Sequence, residues 1–366
     1  AAEYNGFKIC IGKDAIHGEE IQALRAVMKA GSFVSGSGQL SEHPIIPDYL
    51  AYIKKSFSHV NAKRLHVVID CGNGVAALVA KQALELLGCH VTGLYCELDG
   101  RFPNHHPDPT VLENLDDLIQ SVKQHKADVG IGYDGDADRI GTIDEQGNVL
   151  WGDRLMVVYA RDILAAKPGS TIISEVKSSQ SLYDDIAKQG GRPIMWKTGH
   201  SLIKAKMKSE HAVLAGEMSG HMFFADRYFG YDDAIYASCR LVEILAKTTQ
   251  SLSSLVADLP KTSVTPEIRV DVSDSIKFTL VRQVQDRLAV CLKTHEALGP
   301  SKLVLRDVIT IDGVRAIFHD GWGLIRASNT QPALVLRFEA ASPGQLAKIR
   351  AVIEGELAAA KQSLGC

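Results

Sequence analysis

The sequence predicts an α/β protein: successive mixed α/β sheet domains followed by a carboxy-terminal α+β domain. Three observations carry this expectation. The run Leu65-His66-Val67-Val68-Ile69-Asp70 reads as a buried strand, and it leads through Cys71-Gly72-Asn73-Gly74 into an Ala/Leu-rich helix ending at Leu87, then a strand over His90 to Tyr95. A strand-helix-strand unit of this kind builds a parallel sheet. Helix and strand patterns then alternate until Pro260, after which the rhythm changes to alternating Ile268, Val270 and Val272, a helix, strands and a final Ala-rich helix.

The elements follow in order. An apolar segment near Phe7 to Cys10, a helical pattern around Glu19 to Lys29 and a Gly/Ser-rich loop from Gly31 to Gly38 resemble the tail of a domain. Ala127 to Tyr133 reads as another strand, followed by an acidic loop, and the turn Asp144-Glu145-Gln146-Gly147-Asn148 closes the region. A helix around Arg154 to Ala166, a strand at Thr171-Ile172-Ile173 and further helix and strand through Met195 and Leu214 form the next block. The last region holds a helix from Ile276 to Leu292 and strands near Val314 and Val335. The expected boundaries are 1–45, 46–148, 149–260 and 261–366, within what 366 residues allow at about 100 to 200 residues per domain.

Composition excludes several classes. Forty basic against forty-three acidic residues, net charge -3, give no global attraction to nucleic acid or an anionic membrane, so neither partner is expected. No run of 18 apolar residues occurs, and no basic and apolar leader opens the chain. Seven scattered cysteines without a C-x-x-C pair argue against a zinc site or disulfide framework and, read as mostly buried free thiols, fit a reducing, cytoplasmic compartment. The opening Ala1-Ala2-Glu3-Tyr4-Asn5-Gly6 without an initiator Met suggests a cut chain.

The sharpest motif is Asp134-Gly135-Asp136-Ala137-Asp138-Arg139, directly after the strand ending at Tyr133. Carboxylates at alternate positions of one loop repel one another unless a cation compensates, which suits a hard metal such as Mg²⁺; a solvated acidic turn is the bland alternative. Asp134, Asp136, Asp138 and Glu145 also match positions one, three, five and twelve of an EF-hand, but Arg139 stands where that loop needs Gly, and the flanks read as strands.

Gly72-Asn73-Gly74-Val75-Ala76-Ala77, with Glu97 after the next strand, matches a dinucleotide fingerprint, so a nicotinamide-dependent oxidoreductase is the competing function, against a plain strand-to-helix turn. Gly216-Glu217-Met218-Ser219-Gly220-His221 puts an acid, a hydroxyl and an imidazole at a strand end, where α/β sheets bind ligands, or is a Gly-bracketed connection. Gly323 to Thr330, with Arg326, Ser328, Asn329 and Thr330, suits phosphate oxygens or a plain turn. Lys177 and Lys197-Thr198-Gly199-His200 add cationic and titratable groups; each alone fits a surface lysine or a satisfied histidine. His105-His106 carries no assigned chemistry.

Together, Glu3-Tyr4-Asn5-Gly6-Phe7-Lys8, Asp134 to Arg139, Lys197 to His200, Gly216 to His221 and Arg326 to Thr330, in this order, resemble the α-D-phosphohexomutase superfamily, in particular its bacterial phosphomannomutase/phosphoglucomutase branch. The resemblance implies Mg²⁺-dependent phosphoryl transfer between C1 and C6 of hexose phosphates, with mannose and glucose 1- and 6-phosphates as substrates, through a phosphoserine and a bisphosphate intermediate. It implies Asp134, Asp136 and Asp138 as metal ligands, Lys8 as general acid/base with His200 second, and Arg139 on the phosphoryl oxygens. Glu217 and Ser219 are implied to bind sugar hydroxyls; His221, Lys177, Arg326, Ser328, Asn329 and Thr330 are implied to bind sugar or the unreacting phosphate. A monomer is expected.

Two departures stand out. Ala137 replaces the family's Gly, at little cost if its φ is negative. The family's phosphoserine lies in a Ser-His-Asn-Pro segment immediately before Glu-Tyr-Asn-Gly-Phe-Lys, and the chain starts two residues before Glu3. The nucleophile and roughly 100 residues of a first domain are thus expected to be absent. The chain alone is then expected to bind sugar phosphates without turnover, and a non-catalytic sugar-phosphate-binding fragment is a further alternative.

Overall fold

The computed structural model describes residues 7, 9–12, 14–16, 18–329 and 331–364. They divide into two compact units, the first made of 1–173, 186–193 and 199–257, the second of 174–185, 194–198 and 258–366. Among the described residues no helix is long and apolar enough to cross a membrane.

In the first unit a five-stranded sheet is ordered His90–Leu94, His66–Asp70, Val129–Tyr133, Ile140–Asp144, Val149–Leu150. Its first three strands are parallel, as the strand-helix-strand pattern predicts. Direction then alternates: Val129–Tyr133 pairs antiparallel with Ile140–Asp144, which pairs antiparallel with Val149–Leu150. A parallel return needs a crossover of a dozen or more residues, and the six of the acidic loop suffice only for a hairpin. Val129–Tyr133 is buried throughout, and Leu118 and Val122 of helix Asp116–His125 pack with Val68 and Ile143.

The single helix expected after Gly74 is broken. A 3-10 turn over Val75–Leu78 ends at Val79, and a short helix Ala80–Leu86 follows. The Val75 amide donates to Gly135 O at 3.0 Å, so the turn is tied to the acidic loop instead of opening a regular helix toward a ligand. Such an engaged amide cannot cradle a pyrophosphate, and the dinucleotide interpretation loses its footing. Helix Glu19–Ala30 forms where the pattern predicts, with no buried residue.

A second sheet is ordered Met222–Phe224, Leu214–Gly216, Thr171–Glu175, Arg192–Trp196. Helix Gly152–Ala166 and the almost wholly buried helix Ala234–Lys247 belong to the first unit. Asp233 caps the latter by accepting from the Tyr236 amide, worth about 1 kcal/mol.

The second unit holds an antiparallel sheet, Ser263–Val264, Ala333–Ala340, Gly321–Ala327, Val314–Phe318, Asp307–Ile309, with Ile268–Asp271 also paired to Ala333–Ala340. Strand alternation sends Leu334, Leu336, Phe338 and Ala340 into a core with helices Lys277–Thr294 and Pro343–Ser363. The last helix starts on a Ser342 cap with Pro343 in its first turn, a strong start signal. The alternate residues Arg337 and Glu339 face segment 174–185 of the same unit, where Glu339 accepts from Ser179 and from Trp322 Nε1.

Candidate active site

The acidic loop is a hairpin turn held from several sides. Asp134 Oδ1 accepts from the amides of Asp138 and Arg139, both at 3.0 Å, and Oδ2 accepts from Arg139 Nε at 2.6 Å. Arg139 Nη1 donates to Asp108 Oδ1 at 3.1 Å, so the guanidinium is braced by two carboxylates. Ala137 O accepts from the Ala234 amide, at the start of the buried helix, at 3.1 Å. Ala137 has φ 59°, the left-handed conformation that favours Gly, so the low-cost case for this substitution does not apply.

Asp134, Asp136 and Asp138 each present a carboxylate oxygen within 4.8 Å of the others. Burial pushes the Asp134 carboxyl up, the Arg139 guanidinium pulls it down and the Asp138 charge pushes it up again, to about 7. A desolvated carboxylate beside another is stabilised by a bound cation, and an all-oxygen donor set fits Mg²⁺. The flanks are strands, and no EF-hand forms.

Loop 216–221 meets the acidic loop directly. The Ile140 amide donates to Gly220 O at 3.1 Å. Gly220 has φ +94°, and a Cβ there would lie 2.3 Å from Ile140 O, so a side chain would part the two loops. His221 Nε2 lies 3.1 Å from Asp138 Oδ1 and its Nδ1 lies 2.8 Å from Glu217 Oε2. Burial opposes a charge on this ring, but the hydrogen bonds to Asp138 and Glu217 outweigh it and raise His221 to about 10. The two carboxylates thus favour the protonated ring. Ser219 Oγ lies 2.9 Å from His221 Nδ1, and the Gly199 amide donates to Glu217 Oε1 at 2.7 Å. The His200 ring centroid lies 6.3 Å from that of His221. A cavity of about 740 Å³ opens beside the acidic loop, with Tyr49, Val75, Asp136, Asp138, Tyr231 and Asp233 in its wall.

The second unit presents a separate cluster. Lys177 is buried, not a surface lysine, with Nζ 3.0 Å from Glu267 Oε2 and 3.6 Å from Glu175 Oε1. Its backbone is clamped: Arg337 Nη1 donates to Lys177 O at 2.8 Å, and Arg315 Nη1 donates to Val176 O at 2.7 Å and Ser178 O at 2.8 Å. Arg315 itself lies over Trp322, 3.8 Å from the ring centre. Arg326 and Ser328 are buried at the end of strand Gly321–Ala327, and Asn329 is exposed beyond it. Arg326 Nε donates to Asp312 Oδ2 at 2.9 Å, and the same oxygen accepts from the Thr198 amide at 3.0 Å. Lys8 and Thr330 lie outside the described residues.

The structure thus brings Asp134, Asp136, Asp138, Arg139, Glu217, Ser219 and His221, each singled out by the sequence, into one place, with His200 nearby. Asp108, Asp312 and Arg315, which hold Arg139, Arg326 and the backbone around Lys177, stand in no recognisable motif of the sequence. Asp312-Gly313 ahead of an apolar strand carries only a turn signal.

Family comparisons agree with this architecture. Models of the phosphoglucomutase/phosphomannomutase α/β/α domain II, α/β/α domain III and C-terminal domain match residues 47–147, 151–263 and 267–356. The class so defined is that of the phosphohexomutases, which are isomerases. A phosphomannomutase/phosphoglucomutase of Pseudomonas syringae pv. tomato is 47% identical over 355 residues, covering 97% of this chain and 73% of its own. One of Pseudomonas aeruginosa is 44% identical over 362 residues, covering 99% and 75%. The crystal structure of a phosphoglucomutase/phosphomannomutase family protein from Burkholderia thailandensis superposes with TM-score 0.84 at 40% identity, covering 95% of this chain and 71% of that one. The chain belongs to the phosphoglucomutase/phosphomannomutase family of the α-D-phosphohexomutase superfamily.

Proposed function

We propose that the chain carries the machinery of a Mg²⁺-dependent phosphomannomutase/phosphoglucomutase, moving a phosphoryl group between C1 and C6 of a hexose phosphate by way of a phosphoserine and a bisphosphate. The observation that carries this is the meeting of Asp134, Asp136 and Asp138 with the Glu217-Ser219-His221 loop: a cation-demanding carboxylate set beside groups suited to sugar hydroxyls.

Mg²⁺ held by the three aspartates would supply positive charge to the transferring phosphoryl group. Arg139, fixed by Asp134 and Asp108, offers guanidinium donors to phosphoryl oxygens. Lys8 is the proposed proton-transfer group, with His200 second. Glu217 and Ser219 accept from ring hydroxyls and His221 donates to the sugar or its phosphate. In the second unit Lys177, Arg326, Ser328, Asn329 and Thr330 bind sugar or the phosphate not being transferred. The functional segments are 1–45, 46–148, 149–260 and 261–366, and the proposed setting is a cytoplasmic monomer, in keeping with the free thiols.

The 366 residues contain no Ser-His-Asn-Pro segment. The test therefore compares this polypeptide with a longer one carrying such a segment, phosphorylated on its serine, ahead of Glu3. Mg²⁺-dependent conversion of glucose 1-phosphate to glucose 6-phosphate is expected from the longer form and none from the shorter. Conversion by the shorter form would remove the phosphoserine from the mechanism. Sugar-phosphate binding without turnover in both would favour a non-catalytic binding protein.

A further inference from the structure

Cys71 and Cys96 stand 25 residues apart in sequence, in no recognised spacing, yet their sulfurs are 3.2 Å apart. Cys71 follows strand His66–Asp70 and Cys96 follows His90–Leu94, parallel neighbours in register up to Asp70 and Leu94. The Cys71 amide donates to Leu94 O at 3.1 Å, carrying the ladder one step beyond the strand ends. Two features turn Cys96 back toward its partner. Tyr95 is left-handed, at φ 52°, and Gly93 leaves the space the thiol occupies, since a Cβ there would lie 2.7 Å from Cys96 Sγ. Cys71 is buried and Cys96 is partly exposed.

We propose that Cys71 and Cys96 form a redox-active dithiol that a hydroperoxide converts to a disulfide. Cys96, the accessible member, attacks the peroxide: its S–O bond forms, the O–O bond breaks, and hydroxide leaves as water after taking a proton. Cys71 then attacks the Cys96 sulfenic acid: the S–S bond forms, the S–O bond breaks, and the departing hydroxide takes the Cys71 proton. Hydrogen peroxide is reduced to two waters as two thiols become one disulfide. The local electrostatics fit this order. A hydrogen bond from Cys71 favours the Cys96 thiolate and lowers its pKa despite burial, whereas that same bond and burial push the Cys71 thiol up.

Bond formation draws the sulfurs from 3.2 Å to about 2.05 Å. Cys71 opens the segment whose Val75 amide donates to Gly135 O in the acidic loop. Oxidation therefore pulls on a backbone tied to that loop.

The test is peroxide treatment of the 366-residue protein, then alkylation under denaturing conditions and peptide mapping. Cleavage after Arg64, Lys81 and Arg101 puts Cys71 on one peptide and Cys96, with Cys89, on the next. Expected are a dithiothreitol-reversible link between these peptides, located at Cys71 and Cys96 by fragmentation, and a trappable sulfenic acid on Cys96 in C71S. Both thiols remaining alkylatable at a peroxide dose that oxidises the exposed Cys10, or a link through Cys89, overturns the proposal. Hydrogen exchange in 72–75 and 134–138 should rise severalfold on oxidation; unchanged exchange with the disulfide formed would overturn the coupling to the acidic loop alone. Neither readout depends on mutase activity.

Discussion

Asp312 holds Arg326 by a 2.9 Å hydrogen bond from Nε and with the same oxygen accepts the Thr198 amide at 3.0 Å. The buried guanidinium thereby has a fixed heading while its outer nitrogens remain the fork suited to phosphate. Replacing Asp312 by Ala frees Arg326 to rotate and leaves its charge poorly compensated. D312A in an active, phosphoserine-bearing form should raise KM for glucose 1-phosphate about tenfold, ~1.4 kcal/mol, with kcat less affected. Steady-state kinetics decide it, and an unchanged KM would count against the proposed phosphate role of Arg326 and its support by Asp312.

Ala137 stores backbone strain. At φ 59° an L-residue is disfavoured by about 1 to 2 kcal/mol, partly offset by the entropy Gly loses on folding. A137G should stabilise the protein by on the order of 1 kcal/mol. Denaturant unfolding measures the change, and a destabilised variant would mean that the Ala137 methyl packs for more than its backbone costs.

Two histidines of the first unit should respond to pH with opposite signs. The hydrogen bond that the His105 ring donates to the Asp70 carboxylate raises His105, against the opposing effect of burial, to about 9. Its contribution is complete below the ordinary value of 6.5 and is lost as pH rises through about 9. Burial, then His90 and His125, push His66 below 6.5, so its contribution is present above that value and is lost as pH falls through the depressed pKa. H105N should flatten the alkaline decline in stability, and H66N the acidic one. Unfolding free energies across pH 5 to 9 distinguish them, and equal slopes in H105N and the parent would deny the Asp70 pairing.

Arg315 bridges Val176 O and Ser178 O on either side of Lys177 while lying over Trp322. R315M keeps much of the bulk but leaves two buried carbonyls without this donor, at about 1 to 3 kcal/mol each. Unfolding free energy should fall by several kcal/mol, and R315K should recover only part because an ammonium lacks the planar fork. Full stability in R315K would show that charge alone suffices.

Local signals reach their limit at such contacts. The strand before the acidic loop, the alternating carboxylates and the Ser342-Pro343 helix start are written in neighbouring residues and can be read there. The antiparallel turn of the first sheet follows from loop length, a physical limit that the periodicity of the strands does not express. Asp312, Arg315 and the Cys71–Cys96 pair act on residues tens to more than a hundred positions away, and nothing in their immediate sequence marks them. The break at Val79 lay hidden because Val75 to Leu86 has a helical composition throughout; a tertiary bond from Val75 to Gly135 decides otherwise.

The Ile140 to Gly220 hydrogen bond, with no room for a Cβ at Gly220, joins the acidic loop and loop 216–221 through main chain. For protein engineering this makes 134–140 and 216–221 a single cassette. A chimera that imports a foreign 216–221 loop alone inherits a mismatched seam, whereas moving both segments together transfers the seam intact.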